Sequence, residues 1–216
     1  MPHDHHDDSH SNPHGPHPLQ ADHPAPSEVA LRGLALNELL IEKGIYSADE
    51  VRRKIEAIEQ VTPETHGARV VARAWLDAEF RAGLQSNALE TVQGIGLDPG
   101  YAELTVLENT PQLHNVVVCT LCSCYPRWLL GRPPAWYKNA AYRGRVVREP
   151  RAVLSEFGLD IPEDVEVRVH DSNAELRYIV LPMRPDGTEG WSEDRLAAIV
   201  TRDCMIGVAV PRPDGS

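Results

Sequence analysis

Three cysteines within six residues, directly after three consecutive valines, restrict this chain more than any other feature. The segment reads Val116-Val117-Val118-Cys119-Thr120-Leu121-Cys122-Ser123-Cys124-Tyr125-Pro126. A β-branched apolar run is the pattern of a short buried strand. The Cys-x-x-Cys-x-Cys spacing therefore sets three sulfurs in one loop at a strand end. Thiolates are soft ligands and select transition ions over magnesium or calcium. Structural zinc normally takes four protein ligands. The chain has no second Cys-x-x-Cys, and Cys204, among Met205, Ile206 and Val208, reads as a buried structural thiol. His114 or His170 would have to complete a zinc set. A thioredoxin-like pair does not need a third sulfur, and an iron–sulfur cluster wants a fourth. Three thiolates with added donors from the loop's own amides, at Ser123 and Cys124, stay open beside these rivals.

Composition narrows the class of function. The 216 residues are 42% apolar and 25% charged, ordinary for a globular domain. A net charge of −11 opposes sequence-independent binding to nucleic acid or an anionic membrane. No apolar run reaches the roughly 18–20 residues that span a bilayer, and no signal-peptide pattern is visible. We therefore expect a cytoplasmic protein with no nucleic-acid or membrane partner. Residues 1–26 carry seven of the ten histidines, with Asp4, Asp7, Asp8 and Asp22 and no lysine or arginine. Such a segment cannot bury a core, so a disordered tail is expected. Its histidines and aspartates suit transient capture of a divalent metal, and equally a plain solubilising role.

Helical periodicity dominates the first half. Ser27 opens one helix ending near Gly44. Ser47 and Glu50 form a capping box for a second helix through about Val61, and a third is expected over 68–84. Strands are expected over 101–107, 113–118, 165–169, 176–181 and 205–210. Short helices are expected near 150–157 and from Ser192 to about Val200. Helices first and a strand-rich half second make the class α+β.

The cysteine segment closely resembles the metal loop of the nitrile hydratase α subunit family, which includes the γ subunit of thiocyanate hydrolase. The likeness continues through Leu130-Gly131-Arg132-Pro133-Pro134-Ala135-Trp136-Tyr137, Tyr142-Arg143-Gly144-Arg145-Val146-Val147 and Glu149-Pro150-Arg151. It also takes in Glu175-Leu176-Arg177-Tyr178, the Arg184 to Thr188 turn, and Val200-Thr201-Arg202-Asp203 with Met205-Ile206-Gly207. Leu40 to Gly44 and Ala72 to Trp75 look familial as well. The tail and residues from about 86 to 100 lie outside the likeness.

The resemblance implies a non-corrin Co(III) centre, in preference to iron. Cys119, Cys122 and Cys124 would supply sulfurs, with the amide nitrogens of Ser123 and Cys124 completing the protein ligands. Cys122 would be a sulfinate and Cys124 a sulfenate. Thr120, where iron-type members carry Ser, is the residue that points to cobalt. Catalysis would fall to Cys124, Cys122 and Ser123, with Thr120, Tyr125, Arg127 and Arg177 around the pocket or supporting the loop. The implied reaction is hydration of a nitrile to its amide. Arg127 stands where ordinary nitrile hydratases commonly have Trp, and thiocyanate hydrolase γ subunits also carry Arg there, so hydrolysis of thiocyanate is the alternative. A large nitrile such as toyocamycin is a third substrate. The non-enzyme alternative is a zinc- or iron–sulfur-stabilised interaction domain. The family further implies a β-type partner subunit, a metallochaperone or activator protein, a helical arm over 27–85 and a four-layer α-β-β-α catalytic domain over 86–216.

Overall fold

The computed structural model describes residues 27–62, 66–99, 102–122 and 124–213. The expected tail, 1–26, lies outside the described residues. Ser27 caps α1 (Glu28–Glu42), its Oγ accepting from the Ala30 amide at 3.2 Å. Gly44 follows with φ +67°, the left-handed residue that stops a helix. The capping box of α2 (Ala48–Glu59) forms in both directions. Ser47 N donates to Glu50 Oε2 at 2.7 Å, and Glu50 N donates to Ser47 Oγ at 3.1 Å. The leucines of α1 stay outside: the helix buries no residue, and Val29 is 76% exposed.

The single helix expected over 68–84 is two helices. Asp77 breaks the run with φ −123°, ψ 104° and caps the second piece through its carboxylate, which accepts from Phe80 N at 2.9 Å. Such local side-chain bonding competes with the continuing helix. The pieces are α3 (Ala68–Leu76) and α4 (Ala78–Ser86). Asn87 then caps an unanticipated α5 (Ala88–Gln93). Helix α3 buries Val70, Val71, Ala72 and Ala74, and the Trp75 indole donates to Pro182 O at 2.8 Å.

Two parallel ladders carry the sheet structure. Strand β1 (Glu103–Glu108) pairs with β4 (Leu176–Leu181), and β2 (Leu113–Val118) with β3 (Glu166–Asp171). Short turns join β1 to β2 and β3 to β4. The ladders therefore run in opposite directions, and the ends of β2 and β3 meet the starts of β1 and β4. Ser172 N donates to Val118 O at 2.7 Å, carrying the β2–β3 ladder up to that junction. Three short helices for which no element was expected, α6 (Arg127–Leu130), α7 (Ala135–Lys138) and α8 (Ala140–Arg145), follow the cysteine loop, and α9 (Pro150–Glu156) comes after them. After β4 come α10 (Glu193–Ala197) and α11 (Arg202–Ile206). The mixture of helix and strand agrees with the α+β class. A further expectation fails: 205–210 is not a strand. Thr201 instead caps α11, and Gly207 ends it at φ +90°. A Cβ on Gly207 would sit 2.0 Å from Asn115 O, so glycine lets this turn press against β2. No helix among the described residues is long and apolar enough to cross a membrane.

A buried polar network ties β2 to its surroundings. His114 Nε2 lies 2.7 Å from Gly207 O and Nδ1 lies 3.3 Å from Asn109 Nδ2. The neutral ring with Nε2–H satisfies both contacts. Asn109 Oδ1 accepts from Asn115 N at 2.8 Å, and His170 Nε2 donates to Asn115 Oδ1 at 2.9 Å. Burial, partly opposed by the Gly207 carbonyl, pulls the His114 pKa below its usual 6.5. The unfolded chain thus takes up the proton first, and stability present above about pH 6.5 is lost as pH falls below it. His170, lowered by burial and then by Arg168, acts in the same direction. His114→Gln should partly flatten this loss. Urea midpoints at about pH 7.5 and about pH 5.5 check it, and an equal drop in parent and variant would contradict it.

Candidate metal centre

Strand β2 delivers Cys119 at its end, fully buried, and the chain then loops outward through an exposed Leu121. The three sulfurs converge. Cys119 Sγ and Cys122 Sγ are 3.6 Å apart, Cys122 Sγ and Cys124 Sγ 3.3 Å, and all three lie within 4.8 Å of one another. Two sulfurs bound to one ion at about 2.3 Å would be separated by about 3.3 Å at a right angle and about 3.8 Å at a tetrahedral angle. The observed spacings therefore suit a shared transition ion. Ser123, expected to lend its amide, lies outside the described residues.

The loop is held from outside by groups that the cysteine spacing alone did not flag. Asp171, closing β3, accepts from Thr120 N at 2.9 Å and from Thr120 Oγ1 at 2.5 Å. Thr120 thus spends its hydroxyl on the loop's anchor. Arg143 of α8 donates to Thr120 O at 3.0 Å. Tyr137 donates to Cys124 O at 3.1 Å, and Tyr142 to Val117 O at 2.7 Å. Burial, with the neighbouring cysteine charges next, holds the Tyr137 hydroxyl far above its usual pKa, so it remains a donor. Within the loop, Cys122 N donates to Cys119 Sγ at 3.3 Å.

A cavity of about 490 Å³ opens over the sulfurs. Cys122 and Cys124 line it together with Tyr125, Arg127, Trp128, Arg177 and Asp98. Of the expected pocket residues, Tyr125, Arg127 and Arg177 line it. Tyr125 is buried edge-on to Tyr137, ring centroids 5.2 Å apart. Asp98 comes from the 86–100 stretch, in which no motif marked it. His66 was likewise unmarked, and its Nδ1 donates to Trp128 O at 2.8 Å, supporting that wall. Arg177 Nη1 is buried and has no hydrogen-bond partner among the described residues. A second cleft, about 330 Å³ at the opposite ends of β1 and β4, offers no comparable donor set, and its Arg81 and Arg184 are engaged by Glu108 and Thr188.

Burial, followed by the hydrogen bonds to Cys122 and Cys119, pushes the Cys124 thiol up to about 12, while the Arg177 charge draws it down. A metal must therefore displace a proton there, and its hold weakens as pH falls. Removing Asp171 frees Thr120 from its charge-assisted bonds. Asp171→Ala should lower metal affinity about tenfold or more, and Thr120→Val, which spares the amide bond, should lower it less. Metal per chain at limiting supply measures both. Unchanged occupancy in Asp171→Ala would show that the loop does not depend on this anchor.

Comparison with known proteins agrees with this geometry. Residues 27–209 match the family described as nitrile hydratase, alpha chain. The low-molecular weight cobalt-containing nitrile hydratase subunit α of Rhodococcus rhodochrous is 50% identical over 185 residues, 85% of this chain and 89% of its own. Thiocyanate hydrolase subunit γ of Thiobacillus thioparus is 47% identical over 199 residues, 87% of this chain and 82% of its own. A solved double mutant of the Fe-type nitrile hydratase from Comamonas testosteroni Ni1 superposes with TM-score 0.79 at 44% identity, covering 85% of this chain and 90% of that one. Match length, identity and fold converge with the three-sulfur loop, and the chain belongs to the nitrile hydratase α-chain family.

Proposed function

We propose that this chain is the metal-bearing subunit of a cobalt nitrile hydratase that converts a nitrile to the corresponding amide. The convergence of Cys119, Cys122 and Cys124 beside a cavity lined by Arg127 and Arg177 carries the reading. The three sulfurs would hold the ion, with the amide nitrogens of Ser123 and Cys124. Bound there, a trivalent cobalt supplies Lewis acidity that makes a nitrile carbon electrophilic and acidifies water. Cobalt is favoured by Thr120 and by the cobalt-containing relative from Rhodococcus rhodochrous. Cys122 is carried as sulfinate and Cys124 as sulfenate. The oxygen on Cys124 then stands at the cavity, where it serves as base or nucleophile toward the nitrile carbon. Tyr137 and Asp171 keep the loop still while this happens, because their bonds end on loop atoms and not on substrate.

The chain works with a β-type subunit and needs an activator protein to receive its metal. Helices α1 and α2 form the outer part of an N-terminal arm spanning 27–85, and 86–216 form the four-layer catalytic domain. The exposed leucines of α1 are the arm's contact with the partner, which accounts for a helix that buries nothing in its own chain.

Arg127 favours a second substrate class. Arg127 lines the cavity, and an arginine there suits an anion. Thiocyanate is such an anion and carries a carbon–nitrogen triple bond. The deciding assay offers the cobalt-loaded, partner-bound protein small nitriles, a nucleoside nitrile and thiocyanate. Amide formation from a nitrile is expected. Turnover of thiocyanate alone would replace hydration with thiocyanate hydrolysis, and inertness toward all three would favour a metal-stabilised interaction domain.

A further inference from the structure

Positive charge is concentrated just after the metal loop. Residues 127–151 carry seven of the chain's 21 basic residues and one of its 32 acidic ones, in a chain of net charge −11. Part of that charge is answered. Arg145 pairs with Glu149 and Glu156, and Arg151 donates to the carbonyls of Ile161, Pro162 and Val165. Lys138, Arg143 and Arg148 have no carboxylate partner among the described residues. Arg143 donates to Lys138 O and Thr120 O, and Arg148 to Gly144 O, all uncharged acceptors. The three lie together. Lys138 ends α7, Arg143 stands on α8, and Arg148 folds back along α8, its Nη2 3.7 Å from the place of a Cβ on Gly144. The 3.0 Å bond from Arg143 to Thr120 O sets this patch against the cysteine loop. Lys138 and Arg148 are exposed, so an anionic segment laid over them would relieve the like-charge repulsion.

The chain has a matching segment of its own. Residues 1–26, outside the described residues, hold Asp4, Asp7, Asp8 and Asp22 and no lysine or arginine. Seven histidines stand among them, and neutral imidazole is a ligand for divalent transition ions. The reach suffices. A Cβ on Gly131 would sit 2.5 Å from Val61 O, so the chain leaves the patch's neighbourhood toward α2 and α1. Those two helices add about 40 Å end to end, and 26 residues span up to about 85 Å. Charge, reach and ligand type select the same occupant, and the tether raises its effective concentration above that of a free partner.

We propose that residues 1–26 dock on the patch of Lys138, Arg143 and Arg148 and hold a divalent cobalt ion there for the cysteine loop. The step is ligand exchange: imidazole nitrogens and carboxylate oxygens release the ion, the thiols of the loop bind it, and their protons pass to solvent. No electron moves in it. The delivery rests on the reading of the loop as a cobalt centre; the docking does not.

The test uses the full-length apo chain. A carbodiimide joins a carboxylate to an amine in contact with it, and the chain has three lysines, Lys43, Lys54 and Lys138. Peptide mass should find Lys138 linked to a tail aspartate, with the link about fivefold weaker at 500 mM salt than at 50 mM. Links at Lys43 or Lys54 alone, no link, or a Lys138 link indifferent to salt would overturn the docking. Uptake of limiting Co(II) is then followed by the sulfur-to-cobalt absorption, which a site of histidine and aspartate lacks. Deleting residues 1–26 should slow it about fivefold or more. Lys138→Glu with Arg148→Glu should slow it to the same degree, and the deletion should add nothing to that pair. Parent-like uptake in the deletion, or slowing that adds, would overturn the delivery. A parent that gains no such absorption would overturn the cobalt reading, while the cross-link still decides the docking.

Discussion

Three sulfurs brought within 4.8 Å of one another set the terms for the rest of the molecule. Thiols gain little from each other, and thiolates repel, so nothing within the cluster makes it converge. The convergence has to be imposed by backbone, and the backbone of an exposed loop has to be held from outside. Asp171, Arg143, Tyr137 and Tyr142 do this from three separate elements, β3, α7 and α8, each ending on a main-chain atom, with Asp171 also taking the Thr120 hydroxyl. The cluster of Trp136, Tyr137, Tyr142 and Phe157, packed edge to face, keeps the two tyrosines in place. The metal loop is thus an extension of the core.

The strand order explains why such anchors are available. Two parallel ladders running in opposite directions bring four strand ends to one place. From them come Cys119 after β2, Asp171 at the end of β3, Arg177 at the start of β4 and Ala102 before β1. The polar network of His114, Asn109, Asn115 and His170 lies deeper between the same strands. Its buried bonds are mutually dependent, with Asn109 Oδ1 accepting from both Asn115 N and Asn115 Nδ2, so it helps fix the register that sets where the loop begins.

Much of this was legible in the residues. The valine run before Cys119, the Ser47–Glu50 box and the Leu176–Leu181 strand are local patterns, and local patterns survive folding. The break at Asp77 was missed because the apolar period continues across it, although aspartate is a capping residue. The final segment was misread because Met205-Ile206-Gly207-Val208 suits a strand by propensity, while Thr201 and Gly207 bracket a helix. The sulfur set was readable because its three members are neighbours in sequence. Asp171 lies 51 positions from Thr120, and neither it nor Asp98 belongs to a local motif that marks it as part of the site. Contacts of that separation depend on strand pairing, which spacing in one chain does not encode.

X-ray absorption at the cobalt edge of the partner-bound protein tests the central claim most directly, since it reads the atoms around the ion without reference to turnover. The account predicts sulfur neighbours at about 2.3 Å, a shell of lighter atoms beside them, and loss of bound cobalt when Cys119 is changed to Ser. A shell of nitrogen and oxygen alone, unaltered by that substitution, would place the metal elsewhere and contradict the account.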